Sequence, residues 1–258
     1  MTHPVASSAN TALGYALRMG DSTLVLSHRL SEWCGKGPAL EEDLALANVA
    51  LDLLGQARLW LQLAAELEGS GRDEDALAYR RTDREFRNVL LVELPNGHYA
   101  HTLTRQLYFD VWHSLALGLF ARARNPRIAD IAAKSQKEVA YHLRRSSDLF
   151  IRIGDGTDHS HQLTQAAADA LWPYTGELFA TDFIDAAIRD EDEHFDMSLL
   201  RSDWLRAVEH IFKAATLQVP SENVWMQTGS ARGIHTEHLG YLLAEMQVLP
   251  RTYPDARW

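Results

Sequence analysis

Glu191 and His194 lie three residues apart in the stretch RDEDEHFD, residues 189–196. A Glu-x-x-His pair on a helix is half of the ligand set that holds a dinuclear metal centre in a four-helix bundle. The same stretch also contains the acidic residues Asp190, Asp192, Glu193 and Asp196. A buried wall does not tolerate such a density of like charge, so we interpret the pair as part of a solvated acidic face.

Other residues are better placed to form an acidic centre inside a bundle. Glu138 and His142 are one helical turn apart, and Asp110 is the only formally charged residue in the apolar stretch 107–121. Glu32 lies at the end of the first predicted helix. These four residues are typical of the remnant of a metal-binding bundle centre, which requires about four carboxylates and two histidines.

The second predicted helix does not complete such a centre. Its inward positions carry Leu53 and Gln56 where a glutamate and a histidine are required. A leucine cannot bind a metal ion, and a neutral glutamine is a poor substitute for imidazole. We therefore predict no metal ligands and no catalytic residues, and interpret the remaining carboxylates and histidine as a vestigial polar cluster. A metal site formed by Asp110, Glu138 and His142 stays open as the alternative.

The elements that must position these residues are helices, because helical periodicity dominates the sequence and strand-like alternation is nearly absent. The predicted helices cover residues 11–34, 40–68, 98–124, 127–153, 161–188, 198–217 and 235–249. We predict one all-α domain over residues 1–258, a four-helix bundle with additional C-terminal helices. Residues 1–10 are expected to form a flexible N-terminal segment.

Two helices show which side faces the core. In the second helix, one apolar arc consists of Leu46, Val49, Leu53, Ala57, Trp60 and Leu67. The predicted helix over 127–153 carries a stripe spaced alternately by four and three, formed by Ile128, Ala132, Ser135, Val139, His142, Ser146, Leu149 and Ile153. These patterns direct Leu53 and His142 into the bundle.

Composition restricts the class of protein. The net charge of −10 argues against nucleic acid or an anionic membrane as the main partner. No stretch approaches the 18 consecutive apolar residues of a membrane span, and the N-terminus lacks the features of a secretory signal. The single cysteine, Cys34, cannot form an internal disulfide, which fits a reducing compartment. We therefore expect a cytoplasmic protein.

Five segments between residues 13 and 249 are long enough to be specific. They are LVLSHRLSEWCG, LALANVALDLLGQAR, VELPNGHYAHTLTRQLYFDVW, KEVAYHLRRS and GIHTEHLGYLLAEMQVL. Together they resemble the C subunits of bacterial phenylacetyl-coenzyme A epoxidases, the ring 1,2-epoxidases, and cover nearly the whole chain. This resemblance implies a ferritin-like fold and a non-catalytic role in aerobic phenylacetate degradation.

The resemblance also implies partners and cofactors. In that family a related A subunit holds the di-iron centre and binds the thioester, while the C subunit pairs with it. A small B subunit helps to assemble the oligomer, and a reductase with flavin and iron–sulfur centres supplies electrons from NADPH. The implied reaction is the oxygen-dependent epoxidation of the ring of phenylacetyl-coenzyme A, and the C subunit itself needs no cofactor.

Two interpretations from other classes stay open. The chain could be an independent ferritin-like di-metal oxygenase that uses the vestigial cluster, or a helical adaptor unrelated to oxygenation. Metal content after purification distinguishes a di-metal oxygenase from the epoxidase subunit. Co-purification with a homologous, larger helical subunit distinguishes the epoxidase subunit from an unrelated adaptor.

Two further segments could bind anions. Residues 79–88 contain four arginines and two acids, and arginine forks suit the phosphates of coenzyme A. The candidate substrate contacts there are Arg84, Glu85, Phe86, Arg87 and Asn88. The alternative is a surface helix with exposed ion pairs. Near residue 234 a glycine-rich turn precedes a helix start, where backbone amides can hold an anion. The nearby His235 and His238, three residues apart, could bind a metal ion, but such residues more often cap a helix or form hydrogen bonds.

Overall fold

The computed structural model describes residues 8–180, 195–221, 223–254 and 256, with side chains from residue 12 onward. These residues form eight α-helices, several short 3-10 turns and no β-strand. The helices are α1 (Ser8–Ser31), α2 (Leu40–Glu68), α3 (Glu74–Tyr79), α4 (Tyr99–Phe120), α5 (Pro126–Gly154), α6 (Asp158–Leu171), α7 (Arg201–Ala214) and α8 (Glu237–Thr252). The all-α class predicted from the periodicity is confirmed.

The described residues divide into two compact units. The first contains described residues from 8–95 and 229–256, and the second contains those from 96–180 and 195–228. Each unit has one long helical hairpin, α1–α2 in the first and α4–α5 in the second. Paired long helices of this kind are the components of a ferritin-like bundle, and the helical content is consistent with that fold. The assignment of residues 1–258 to a single domain stays a prediction.

The hairpin of the first unit is tightly packed. The Oγ atom of Ser27 on α1 donates a hydrogen bond to the carbonyl oxygen of Ala50 on α2 at 2.8 Å. A Cβ atom at Gly20 would lie 2.8 Å from Cδ2 of Leu61. Only glycine therefore lets the two helices approach so closely at this point. The predicted inward side of α2 is confirmed, since Leu53 and Trp60 are fully buried.

The second unit has an aromatic core. Tyr108 on α4 is fully buried, and its ring lies parallel to that of Phe212 with 6.1 Å between the ring centroids. The indole Nε1 of Trp204 donates a hydrogen bond to the carbonyl oxygen of Tyr108 at 3.0 Å. Aromatic residues combine large buried areas with a polar group that needs a partner, so these contacts fix α4 against α7. The predicted inward stripe of α5 is buried from Ile128 to Ser146.

The predicted helix over 161–188 is wrong beyond Leu171. There α6 ends, and 3-10 turns follow at Trp172–Tyr174 and Gly176–Phe179. Pro173 has no N–H group and its ring clashes with the preceding helical turn, so the α-helix cannot continue. Residues 181–188 lie outside the part of the chain that the structure describes.

By length and composition alone, α2 could also cross a membrane. Its most apolar window has a mean hydropathy of 1.2, and 44% of that window is buried within the protein. The core helix of a globular protein meets the same criterion, so this is weak evidence for a membrane span. No other helix among the described residues meets it.

Candidate functional site

A buried polar cluster lies between α4 and α5 in the second unit. Asp110 is fully buried, and its Oδ1 accepts a hydrogen bond from Nε2 of Gln106 at 2.7 Å. Its Oδ2 accepts one from Oγ of Ser146 at 2.7 Å. His142 and His113 are buried as well, and His142 is close enough to interact electrostatically with both Asp110 and His113. The structure thus brings Asp110 and His142 together.

Burial shifts the protonation of this cluster. It raises the pKa of Asp110 to about 6, because the carboxylate loses its hydration, while His142 and the hydrogen bonds from Ser146 and Gln106 act in the opposite direction. Burial also lowers the pKa of His113 to about 3, with a further contribution from His142. The cluster therefore combines a carboxyl group that titrates near pH 6 with an imidazole that stays neutral.

The other two predicted members of the cluster differ in burial. Glu138, one turn before His142 on α5, is half-buried. Glu32 follows the end of α1 in the first unit, and its side chain is 39% exposed. Its Oε1 accepts a hydrogen bond from Nη1 of Arg29 at 2.7 Å. This placement corrects the expectation that Glu32 lies at a buried bundle centre, because α1 ends at Ser31 and leaves it in the surface turn.

The described residues do not fit a dinuclear iron centre. Leu53 and Gln56 are 0% and 1% exposed, so the inward positions of α2 are occupied by a hydrocarbon and a neutral amide. No group of three or more His, Cys, Asp or Glu in the described residues is arranged to hold a metal ion. A bundle centre needs about six such ligands. Glu191 and His194 lie outside the described residues.

The arginine-rich segment 79–88 forms a turn rather than a surface helix. It contains the end of α3 and a 3-10 turn at Asp83–Glu85. Arg81 points inward and is only 2% exposed. Its guanidinium forms two hydrogen bonds with the carboxylate of Asp21 on α1, one of them 3.0 Å between Nη1 and Oδ2. The guanidinium carbon also lies 4.4 Å from the ring centroid of Phe86.

Two of the candidate substrate contacts belong to the core of the first unit. Phe86 and Asn88 are both 0% exposed. The amide Nδ2 of Asn88 donates a hydrogen bond to Oε1 of Glu93 at 2.9 Å. Neither side chain can meet an adenine ring without leaving the core. This corrects the expectation that they contact substrate.

The remaining three candidates reach the surface to different degrees. Arg84 and Glu85 are exposed, and Arg87 is half-buried. The guanidinium of Arg87 donates a hydrogen bond to the carbonyl oxygen of Arg84 at 2.7 Å, so it stabilises the turn itself. Arg84 and Glu85 therefore stay as the accessible candidates for a contact with the coenzyme A end of a thioester.

Glu93 is a buried carboxylate that the sequence analysis missed. Its Oε2 accepts hydrogen bonds from the backbone N–H of Thr236 at 2.8 Å and from Oγ1 of Thr236 at 2.7 Å. Its Oε1 pairs with Nδ1 of His235. The anion at the start of α8 is thus a carboxylate of this chain, and His235 binds it rather than a metal. A signal existed, since Glu93 is the only charge in residues 89–95.

Comparison with known proteins places the chain in a family. It matches the family model described as phenylacetic acid catabolic protein over residues 2–258. It is also 50% identical over 249 residues to the C subunit of the 1,2-phenylacetyl-CoA epoxidase of Escherichia coli (strain K12), with 96% of this chain and 100% of that protein covered. The resemblance carried by the five sequence segments is therefore confirmed. The chain belongs to the phenylacetic acid catabolic protein family.

Proposed function

We propose that the chain is the non-catalytic subunit of a phenylacetyl-CoA epoxidase, which pairs with the di-iron catalytic subunit and stabilises it. One observation supports this proposal above all: the 50% identity extends over the complete length of the Escherichia coli protein that is named as the C subunit of this epoxidase. Similarity that covers a whole chain reflects the whole subunit rather than a shared module. By the same inference, the chain acts in aerobic phenylacetate degradation and resides in the cytoplasm.

The chemistry of the buried residues supports a non-catalytic role. Metal-dependent oxygen activation needs several carboxylates and imidazoles directed at one point. Here α2 contributes Leu53 and Gln56 to its buried side. The carboxylate of Asp110 is engaged by Gln106 and by Ser146, which are hydrogen-bond donors of its own unit. These residues stabilise helix packing and provide no dinuclear ligand set.

The proposal assigns the redox components to other subunits. The catalytic A subunit holds the di-iron centre and phenylacetyl-CoA, the B subunit helps assembly, and the reductase carries flavin and iron–sulfur centres and uses NADPH. The contribution of this chain is to supply rigid helices. The buried Asp21–Arg81 ion pair, which joins α1 to the segment after α3, is suited to that purpose because it locks the hairpin to its neighbouring turn.

Iron analysis combined with size measurement tests the proposal. We expect the purified chain to contain no stoichiometric iron and to form a complex when mixed with the A subunit of the same epoxidase at micromolar concentration. Iron at about two atoms per chain, lost in a variant with Glu138→Ala and His142→Ala, would indicate an independent oxygenase instead. Two separate peaks after mixing would contradict the pairing and favour an unrelated adaptor.

A further inference from the structure

An apolar stripe lies on the outer surface of α2. Four leucines form it: Leu40, Leu44, Leu51 and Leu54, which are 72%, 57%, 66% and 39% exposed. At 100° per residue these four side chains fall within an arc of about 80°. This arc lies opposite the buried side of α2, so α1 does not cover it. We call these four residues the α2 stripe.

Gly55 lies on the same face as the α2 stripe. A Cβ atom built there meets nothing within 4 Å, whereas a Cβ atom at Gly20 would collide with Leu61. Glycine in the interior of a helix costs conformational entropy, and at Gly20 the packing of α1 on α2 accounts for that cost. At Gly55 no described part of the chain packs into the space that a side chain would occupy.

The α2 stripe continues into a groove with a volume of about 550 Å³. Its floor includes the buried side chains of Leu24 and Leu61. Its rim includes Asp75 and Glu74 of α3 together with Arg58 of α2, whose Nε lies 3.2 Å from Oε1 of Glu74. A groove with an apolar floor and a charged rim fits one face of an amphipathic helix, whose apolar anchors recur at intervals of three, four and seven residues. Because Arg58 compensates Glu74, Asp75 supplies the excess negative charge of the rim, which favours basic residues beside those anchors.

The charge around the α2 stripe selects among possible partners. Residues 40–79 contain nine acidic and two basic residues, a formal charge of −7 in a chain of −10. A second copy of this chain, docked through the same face, would bring two such surfaces together and be repelled. An anionic membrane would be repelled for the same reason. A helix flanked by lysine or arginine is complementary.

We propose that the α2 stripe and its groove are the docking site for a basic amphipathic helix of the catalytic subunit. This inference rests on the function proposed above, which supplies the partner but not the surface. The leucines insert between apolar side chains of that helix, Gly55 permits close backbone approach, and Asp75 faces its basic residues. Like-charge repulsion keeps the free chain from docking on itself through this face.

The test compares variants of the full-length chain in a binding titration with the A subunit of the same epoxidase. Leu51→Glu places a charge in the centre of the α2 stripe, and Gly55→Gln adds bulk where the free chain has open space. Both are expected to weaken the affinity at least tenfold. Leu199→Glu is the matched control, since Leu199 is a 71% exposed leucine of the second unit, and it should leave the affinity unchanged.

Circular dichroism of each variant excludes unfolding as the cause, since these positions are exposed in the free chain. If the wild type binds and both variants bind equally well, the docking site is wrong while the proposed function stands. If the wild type fails to bind, the proposed function fails and the docking site with it. If the wild type self-associates and Leu51→Glu abolishes this, the occupant is a second copy and the inference is overturned.

Discussion

Asp110 links the stability of the second unit to pH. Its pKa is raised from the ordinary 3.8 to about 6, so the folded protein binds this proton more tightly than the unfolded chain does. The resulting stabilisation is fully present below about pH 4 and is lost as the pH rises through 6. His113 acts in the opposite direction, because its pKa is lowered to about 3 and its protonation opposes folding.

Asp110→Asn is expected to remove the pH dependence of stability that Asp110 causes. The amide keeps the shape of the carboxyl group but never ionises, so it has no cost of charge burial at neutral pH. Relative to wild type, the free energy of unfolding of the variant should increase by up to about 3 kcal/mol between pH 4 and pH 7. Urea titrations of both proteins across this range measure it. His113 is present in both proteins, so its effect cancels in the comparison. A difference in the free energy of unfolding that stays constant with pH would contradict the prediction.

Glu93→Gln tests a buried, hydrogen-bonded carboxylate of the first unit. The side chains of Glu93 and His235 are 0% and 3% exposed, so the variant leaves the histidine and Thr236 without their anionic partner. Leaving buried hydrogen-bond donors without their acceptor costs about 1–3 kcal/mol, and hydrogen exchange of the first turn of α8 should become faster. The exposed Glu237 lies nearby, and Glu237→Gln should cost less than about 1 kcal/mol. Equal effects of the two substitutions would show that the buried pair has no special role.

At the scale of the element, α2 combines two faces with different tasks. Its inner face packs against α1, and its outer face carries the α2 stripe with Gly55. In the free chain the leucines of the α2 stripe are exposed, and a Cβ atom at Gly55 would meet nothing within 4 Å. A change on the outer face should therefore alter the stability of the free chain through helix propensity alone.

Gly55→Ala is expected to stabilise the free chain by up to about 1 kcal/mol, because alanine is the better helix former and its Cβ meets nothing within 4 Å. Gly20→Ala should do the reverse, since its Cβ would lie 2.8 Å from Leu61. Thermal or denaturant unfolding of the two variants provides a direct comparison. A loss of stability at Gly55 would show that this face is already packed in the free chain.

Periodicity predicted the inward faces of the long helices and failed where the structure depends on distant contacts. Leu53 and His142 are buried as expected, because a stripe with helical spacing is a local property. The segment that contains Arg81 is predicted as a phosphate-binding segment or a surface helix, but Arg81 is buried and its partner Asp21 is 60 residues away. No local pattern contains that pairing. Asp110 was identified as buried because it stands alone among apolar residues, and Glu93 had the same signal.

At the scale of the whole molecule, the negative charge is unevenly distributed. The region of α2 and α3 is strongly acidic, whereas residues 79–88 carry four arginines and two acids. One of those arginines is engaged in the buried pair with Asp21, and Arg87 bonds to the turn itself. Arg84 of this segment is exposed, and none of the described contacts involves its guanidinium group. Arg84 is therefore the residue of this segment at which the predicted contact with a phosphate group is best tested.

Arg84→Ala in the assembled epoxidase is expected to weaken the binding of phenylacetyl-CoA at least tenfold, if Arg84 reaches the coenzyme A phosphates of the thioester held by the A subunit. A lost charge-assisted hydrogen bond costs about 1.5–3 kcal/mol, and about 1.4 kcal/mol corresponds to tenfold in affinity. Calorimetric titration of the intact complex measures the change. Arg206→Ala is the control, because Arg206 is an exposed arginine of α7 that pairs with Asp203. If the segment is only a surface turn, both variants should bind phenylacetyl-CoA with unchanged affinity. An exposed ion pair contributes less than about 1 kcal/mol to stability and nothing to the free energy of ligand binding.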